Sequence, residues 1–249
     1  KSLVLGTDAL AADAKRYEDT RELSSVVAAD AKAIGFVGLA YVGSTRALTI
    51  SEPGTAAFLP TRFTVATEDY LLSRRLFLYT TTASTNPWVR KMVEYALSDE
   101  GQQVVQMSGF VKQSIDLERP ITAAGVSADY LSAVREAERL SLSFRFRRGS
   151  RDLDNRGLRD LDRITEWLSR PEFRGRQLIL MGFADNSGSM TTNVQLSRER
   201  ADAIRKALAA RGINVAQVIG LGSALPVASN DNENGREKNR RVEVWVRGS

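Results

Sequence analysis

The strongest restriction on the fold is the order in which hydrophobic periodicities follow one another between Leu140 and Val246. "LSLSFRFRRGS" places Leu142, Phe144 and Phe146 at every second position, the pattern of a half-buried strand. "LDNRGLRDLDRITEWLSR" then sets Leu158, Leu161, Ile164, Trp167 and Leu168 at three- and four-residue spacings, an amphipathic helix stopped by Pro171. "QLILMGFAD" reads as a strand, and "TTNVQLSRERADAIRKALAARG" as a helix with Leu196, Ala203, Ile204, Ala207 and Leu208 inward and Gly212 at its end. "VAQVIGLGS" and "RRVEVWV" supply two further strands. The order β-α-β-α-β-(loop)-β predicts a small α+β sandwich with helices on one face of a mixed sheet.

The first half has a different texture. From Ala33 to Tyr79 the apolar runs "AIGFVGLAYV", "RALTI", "FTVAT" and "RRLFLYTT" alternate with Gly, Pro and Ser/Thr clusters and read as strands and tight turns of an α/β segment. Asn86 followed by Pro87 predicts a helix start, because proline at the first turn forgoes an amide that has no partner there. Ser98 predicts a second start, with Asp99 and Glu100 suited to the positive end of the helix dipole, and Gly109 a stop. Pro120 and Gly125 mark a linker, followed by a lead-in helix over "SADYLSAVREAERL". At 249 residues this organisation fits two domains: 1–115, a linker and helix over 116–139, and 140–249.

Composition removes several chemistries. The chain has neither cysteine nor histidine, which excludes disulfides, thiol nucleophiles, imidazole acid–base catalysis and the common zinc ligands. No cofactor is expected. Paired acids in "RDLDNRGLRDLD" fit a solvated helix face better than a glycosidase acid pair. The net charge of +5 favours anionic partners, such as nucleic acid, anionic lipid or an acidic cell-wall polymer. Aromatic residues make up only 7% and do not interleave with the basic ones, which argues against nucleic acid. No apolar run reaches 18 residues, and "KSLVLGTDAL" lacks the apolar core of a signal peptide, so any membrane attachment is expected to lie upstream of residue 1.

One stretch carries a specific chemistry. In "DNSGSMTTNVQLSRER", Asp185 closes a strand at its carboxyl end, and Asn193, Ser197 and Arg200 fall at i, i+4 and i+7 on one helical face. A zwitterion would satisfy that pattern. Asp185 would take an ammonium, Arg200 a carboxylate with its two-pronged fork, and Asn193 either end. On spacing alone two other readings stand: Asp185 and Arg200 pair with each other, or Asp185 caps its loop. In "NRRVEVWV", Arg240 shares the parity of Val242, Val244 and Val246 and should lean toward the helices, while Arg241 points away. Arg240 therefore joins the candidate site, with a structural salt bridge as the other reading of it. The preceding "SNDNENGREK" reads as a mobile loop.

"GFADNSGSMTTNVQLSRERADAIRKAL", "GLGSALP" and "NRRVEVWV" together resemble the OmpA-like C-terminal domain over Leu140 to Val246, with G-x-x-D, N-x-x-L-S-x-x-R-A and N-R-R-V-E in order. The resemblance implies a βαβαββ sandwich that holds the diaminopimelate of the peptidoglycan stem peptide. It implies Asp185 and Arg200 as principal ligands, Asn193 beside them and backbone amides near Ser187. Phe183 and Ala184 stand where relatives commonly carry a histidine or threonine before the aspartate, and Arg148 where they often carry a small polar residue. Less specifically, "VVAADAKAIGFVGLAYV", "LLSRRLFLYT" and "MVEYALSDEGQQVVQMSGFV" resemble the later part of phosphate-type periplasmic substrate-binding proteins of ABC transporters, without their Ser-Gly-Thr anion turn. These likenesses imply a non-enzymatic envelope protein of a Gram-negative-type bacterium, with a partial solute-binding segment for a phosphate-like anion tethered to the cell wall in the periplasm. The rival reading is a tether for an enzymatic or transport module lying upstream.

Overall fold

The computed structural model describes residues 8–81, 83–119 and 128–248. The linker residues Pro120 and Gly125 and the opening "KSLVLG" lie outside the described residues. The second half follows the expected order. Strand β1 (Leu117–Glu118) and helix α5 (Ala128–Val134) precede β2 (Ala137–Arg145), α6 (Asn155–Ser169), β3 (Gln177–Gly182), α7 (Met190–Ala209), β4 (Val215–Gly220), α8 (Glu233–Asn239) and β5 (Arg241–Arg247). The sheet order is β1-β2-β5-β3-β4, with β3 and β4 parallel and the other pairs antiparallel. β2 begins at Ala137, inside the stretch expected to be a lead-in helix, and that helix ends at Val134. Pairing with β1 and β5 outweighs the helical propensity of "REAERL".

One sheet face forms the main core. Leu140, Leu142, Phe144 and Phe146 meet Leu178, Leu180, Val242, Val244 and Val246, and these pack under Leu161, Ile164 and Trp167 of α6 and Ala201, Ile204 and Leu208 of α7. Leu158, expected inward, is exposed, and Ala201 occupies the inner face of α7 where Leu196 was expected. Two glycines set how closely α7 lies on the sheet. A Cβ on Gly182 would overlap the Ser197 carbonyl oxygen, and one on Gly220 would fall 2.5 Å from that of Val194. The helix backbone rests directly on the strand ends.

The other face corrects the expectation of helices on one side only. Ile179, Met181, Phe183 and Trp245 are covered by Ala133, Val134 and Tyr130 of α5. Beside them, Ser141, Ser143, Arg241 and Glu243 are also buried. Alternation alone made these polar positions look solvent-facing. They are instead covered and paired: Arg241 stacks over the Phe183 ring at 3.8 Å and meets Glu243 at 2.8 Å, and Glu243 accepts from Trp245 Nε1.

Residues 8–115 depart further. They hold α1 (Thr20–Ala29), α2 (Arg62–Ala66), α3 (Pro87–Leu97) and α4 (Asp99–Met107), and among the described residues before Leu117 the only β pairing is an isolated bridge, Ile50 to Phe58. The Asn86 and Ser98 caps form as expected, with Pro87 in the first turn of α3 and Gly109 at positive φ behind α4. The strands expected between Ala33 and Tyr79 do not form. "FTVAT" becomes the helix α2 because Thr61 and Thr64 close a reciprocal capping box. "AIGFVGLAYV" and "RRLFLYTT" find no neighbouring strand to take their backbone hydrogen bonds, and Ile34, Phe36, Leu76, Phe77, Leu78 and Tyr79 are left exposed.

Candidate functional site

Asp185 follows β3 by three residues, where the strand's carboxyl end opens against the first turns of α7. Its neighbour Phe183 is locked to β5 by a backbone bond to the Arg241 carbonyl, and Ala184 donates to Gly222. Asp185 is 8% exposed. Its Oδ1 accepts from the Ser187 amide at 2.9 Å, and its Oδ2 from Arg240 Nη1 at 2.9 Å. Burial alone would raise its pKa. The Arg240 hydrogen bond and those of Ser187 outweigh that and hold it below the usual carboxylate range.

Arg240 is the better-anchored of the two arginines. It donates through Nε to the Phe146 carbonyl at 3.0 Å, through Nη1 to Asp185, and through Nη2 to Glu233 at 2.6 Å. The parity argument placed it correctly on the helix side. Glu233 was missed, because "SNDNENGREK" reads as a loop. The stretch instead forms α8, with Asn232 as its cap, Glu233 in its first turn and Arg236 and Lys238 in its last. That distribution of charge along the helix dipole was the available signal.

Arg200 is fully buried, yet only its Nε has a protein partner, the Ser150 carbonyl at 3.2 Å. Its guanidinium lies 5.6 Å from the Phe146 ring centre, and both terminal nitrogens lack a hydrogen-bond partner. Asp185 and Arg200 therefore do not satisfy each other, and Asp185 is engaged by Arg240. Burial pulls the Arg200 pKa down to about 10, and the nearby positive charge of Arg240 adds to the fall against the attraction of Asp185. The result is a buried cation with two open donors near a buried carboxylate.

The other expected members serve mainly to shape the loop. Asn193 is buried and donates from Nδ2 to the Gly188 carbonyl at 3.2 Å, closing the turn that follows Asp185. Ser197 accepts from the Gly222 amide at 3.0 Å. The Ser187 amide, expected to face a ligand, is spent on Asp185. Arg148 is exposed.

Residues 145–240 match the OmpA family. This part of the chain is an OmpA-like domain. It is 40% identical over 89 residues to the peptidoglycan-binding protein ArfA of Mycobacterium tuberculosis, covering 34% of this chain and 26% of that one. It is 32% identical over 110 residues to the peptidoglycan-associated lipoprotein of Pseudomonas putida, covering 43% and 64%. Among solved structures, the peptidoglycan-associated lipoprotein from Burkholderia pseudomallei is 28% identical and covers 42% of this chain and 89% of its own, with a TM-score of 0.39. The chain spans about a quarter of the length of its ArfA relatives. The OmpA-like domain thus coincides with the site elements from Arg145 to Arg240.

Proposed function

We propose that the OmpA-like domain anchors this chain non-covalently to peptidoglycan, as a non-enzymatic tether in the bacterial periplasm, by holding the free amino acid end of diaminopimelate in the stem peptide. The observation that carries this reading is Arg200. A fully buried guanidinium with two unpartnered terminal nitrogens is costly unless an anion completes it, and a carboxylate matches its fork. Asp185 keeps unused lone pairs for an ammonium, since each oxygen accepts one protein hydrogen bond. The site's buried pair of opposite charges thus suits a ligand that is neutral overall and charged at both ends. The names of the ArfA and lipoprotein relatives point to the same polymer.

The decisive experiment is co-sedimentation with purified sacculi together with titration of a diaminopimelate-containing muropeptide. Binding that is lost in Asp185→Ala and in Arg200→Ala, with the fold retained, supports the reading. Sacculus binding by both variants at the wild-type level overturns it. For residues 1–115 we propose, on sequence resemblance, a portion of a phosphate-type solute-binding module carried by the anchor. That portion has no Ser-Gly-Thr anion turn, so calorimetry with phosphate on this chain should show no tight site, and micromolar binding would refute that placement.

A further inference from the structure

The segment from Thr61 to Leu71 lies against β2 and is joined to the ligand site through Arg145 and Lys238. Asp69, 1% exposed, accepts from Arg139 Nη1 at 2.7 Å and from Arg145 Nη2 at 3.4 Å. Arg145 Nη2 also donates to the Thr67 carbonyl at 2.7 Å, while its Nη1 donates to the carbonyl of Lys238 in α8. Lys238 returns the contact, its ammonium donating to the Leu71 carbonyl at 3.1 Å. A second tie joins the Glu52 carboxylate to the Ser229 amide, at the start of the loop leading into α8. Glu68, which precedes Asp69 and pairs with Arg156 at 3.3 Å, sits at φ 62, a conformation a non-glycine residue adopts only when its surroundings impose it.

Two residues beyond Lys238 stands Arg240, the partner of Asp185. Between them, Asn239 is buried and pins the amides of Val227 and Ala228. The chain of contacts is short and continuous: Asp69 to Arg145, Arg145 to the α8 backbone, α8 to Arg240, Arg240 to Asp185. Two carboxylates, Glu68 and Asp69, and two backbone carbonyls, of Thr67 and Leu71, are matched to Arg145, Arg156 and Lys238 of the OmpA-like domain and to Arg139 just before it, so this is a built seat and not a chance contact.

We propose that Glu52 and Thr67–Leu71 form a latch on the ligand site: when it is seated, α8 presents Arg240 to Asp185, and when it is displaced, that presentation and the site's affinity are lost. Asp69 and Lys238 are then positioning residues. The proposal deepens the reading of the site as a zwitterion binder and rests on it for the ligand alone. By linkage, a ligand that requires the seated state also strengthens the seating of the first segment.

The test follows the Asp185 carboxyl resonance by carbon-13 NMR through an acid titration, which requires no ligand. Asp185 faces Arg240, the Ser187 amide and, at longer range, Arg200, so its midpoint reports chiefly on Arg240. Asp69→Asn and Lys238→Met should both raise the midpoint toward that of Arg240→Gln, by about one pH unit, a tenfold change in proton affinity. Asp69→Asn should add nothing in the Arg240→Gln background. An unchanged midpoint in folded Asp69→Asn and Lys238→Met overturns the latch. If Asp69→Asn does not fold, Lys238→Met decides, because it removes a single hydrogen bond to Leu71. Sacculus co-sedimentation runs in parallel. Weakened binding by the two variants supports the latch, and wild-type binding with a shifted midpoint overturns its control of affinity. Failure of the wild-type chain to bind sacculi overturns the anchoring function, while the titration still decides the coupling.

Discussion

Replacing Arg200 by methionine should make the unliganded protein more stable, although it removes a residue at the centre of the candidate site. Burial pulls the Arg200 pKa down to about 10, which corresponds to about 3 kcal/mol held against the charged form. Methionine has a similar unbranched stem and brings no charge into that space. It forfeits the hydrogen bond to the Ser150 carbonyl and the contact with Phe146, each worth about 1 kcal/mol. The expected balance is a gain of about 1 kcal/mol, read as a higher urea midpoint at unchanged slope. The sign with pH is definite. The folded pKa of this base lies below its unfolded value, so the cost is complete at every pH below about 10 and the gain should be equal at pH 5 and pH 8. A loss of 1 kcal/mol or more in Arg200→Met would refute the reasoning, because it would mean the terminal nitrogens are satisfied in the free protein. The same variant should not co-sediment with sacculi.

Other perturbations have equally definite outcomes. Arg200→Lys keeps the charge without the planar fork and should weaken muropeptide binding in a calorimetric titration without abolishing it; affinity equal to wild type would mean that Arg200 acts only as a distant charge. Asp69→Ala strips the shared partner from Arg139 and Arg145 and should cost about 3–5 kcal/mol in urea unfolding. Asp69 and Asp185 are both held below the ordinary carboxylate range, each by arginine partners that outweigh burial. Their stabilisation is therefore present above about pH 4 and disappears as the pH falls through the folded values, so the acid limb of the stability curve should flatten in Asp69→Asn.

The residues that reveal themselves in sequence are those whose position follows from local periodicity. Asp185 ends an apolar run, Arg200 shares a helical face with Asn193 and Ser197, and Arg240 has the parity of three buried valines. Each was placed correctly. What periodicity cannot show is which distant group meets which. Asp185 and Arg240 are 55 residues apart, and nothing in their spacing favours that pair over Asp185 with Arg200. The polar face of β2 and β5 escaped for a related reason. Arg145 looks like a solvent-facing residue until Thr67 and Asp69, 78 and 76 residues earlier in the chain, take its guanidinium. The runs between Ala33 and Tyr79 fail in the opposite direction: strand propensity without a partner strand leaves "AIGFVGLAYV" and "RRLFLYTT" outside any sheet, with Phe36, Phe77 and Tyr79 exposed.

The two glycines under α7 have a mechanical consequence. With Gly182 and Gly220 letting the helix backbone around Val194 and Ser197 touch the strand ends, that part of α7 has no side-chain layer through which to slide or tilt, and it carries Asn193 and Arg200 as a fixed jaw. The opposing jaw is α8, seven residues long, borne on a loop and held by individual side chains. Any adjustment of the grip therefore falls to the jaw that carries Glu233 and leads into Arg240, and side-chain substitutions in the core beneath α7 should leave the aim of Arg200 unmoved as long as both glycines remain.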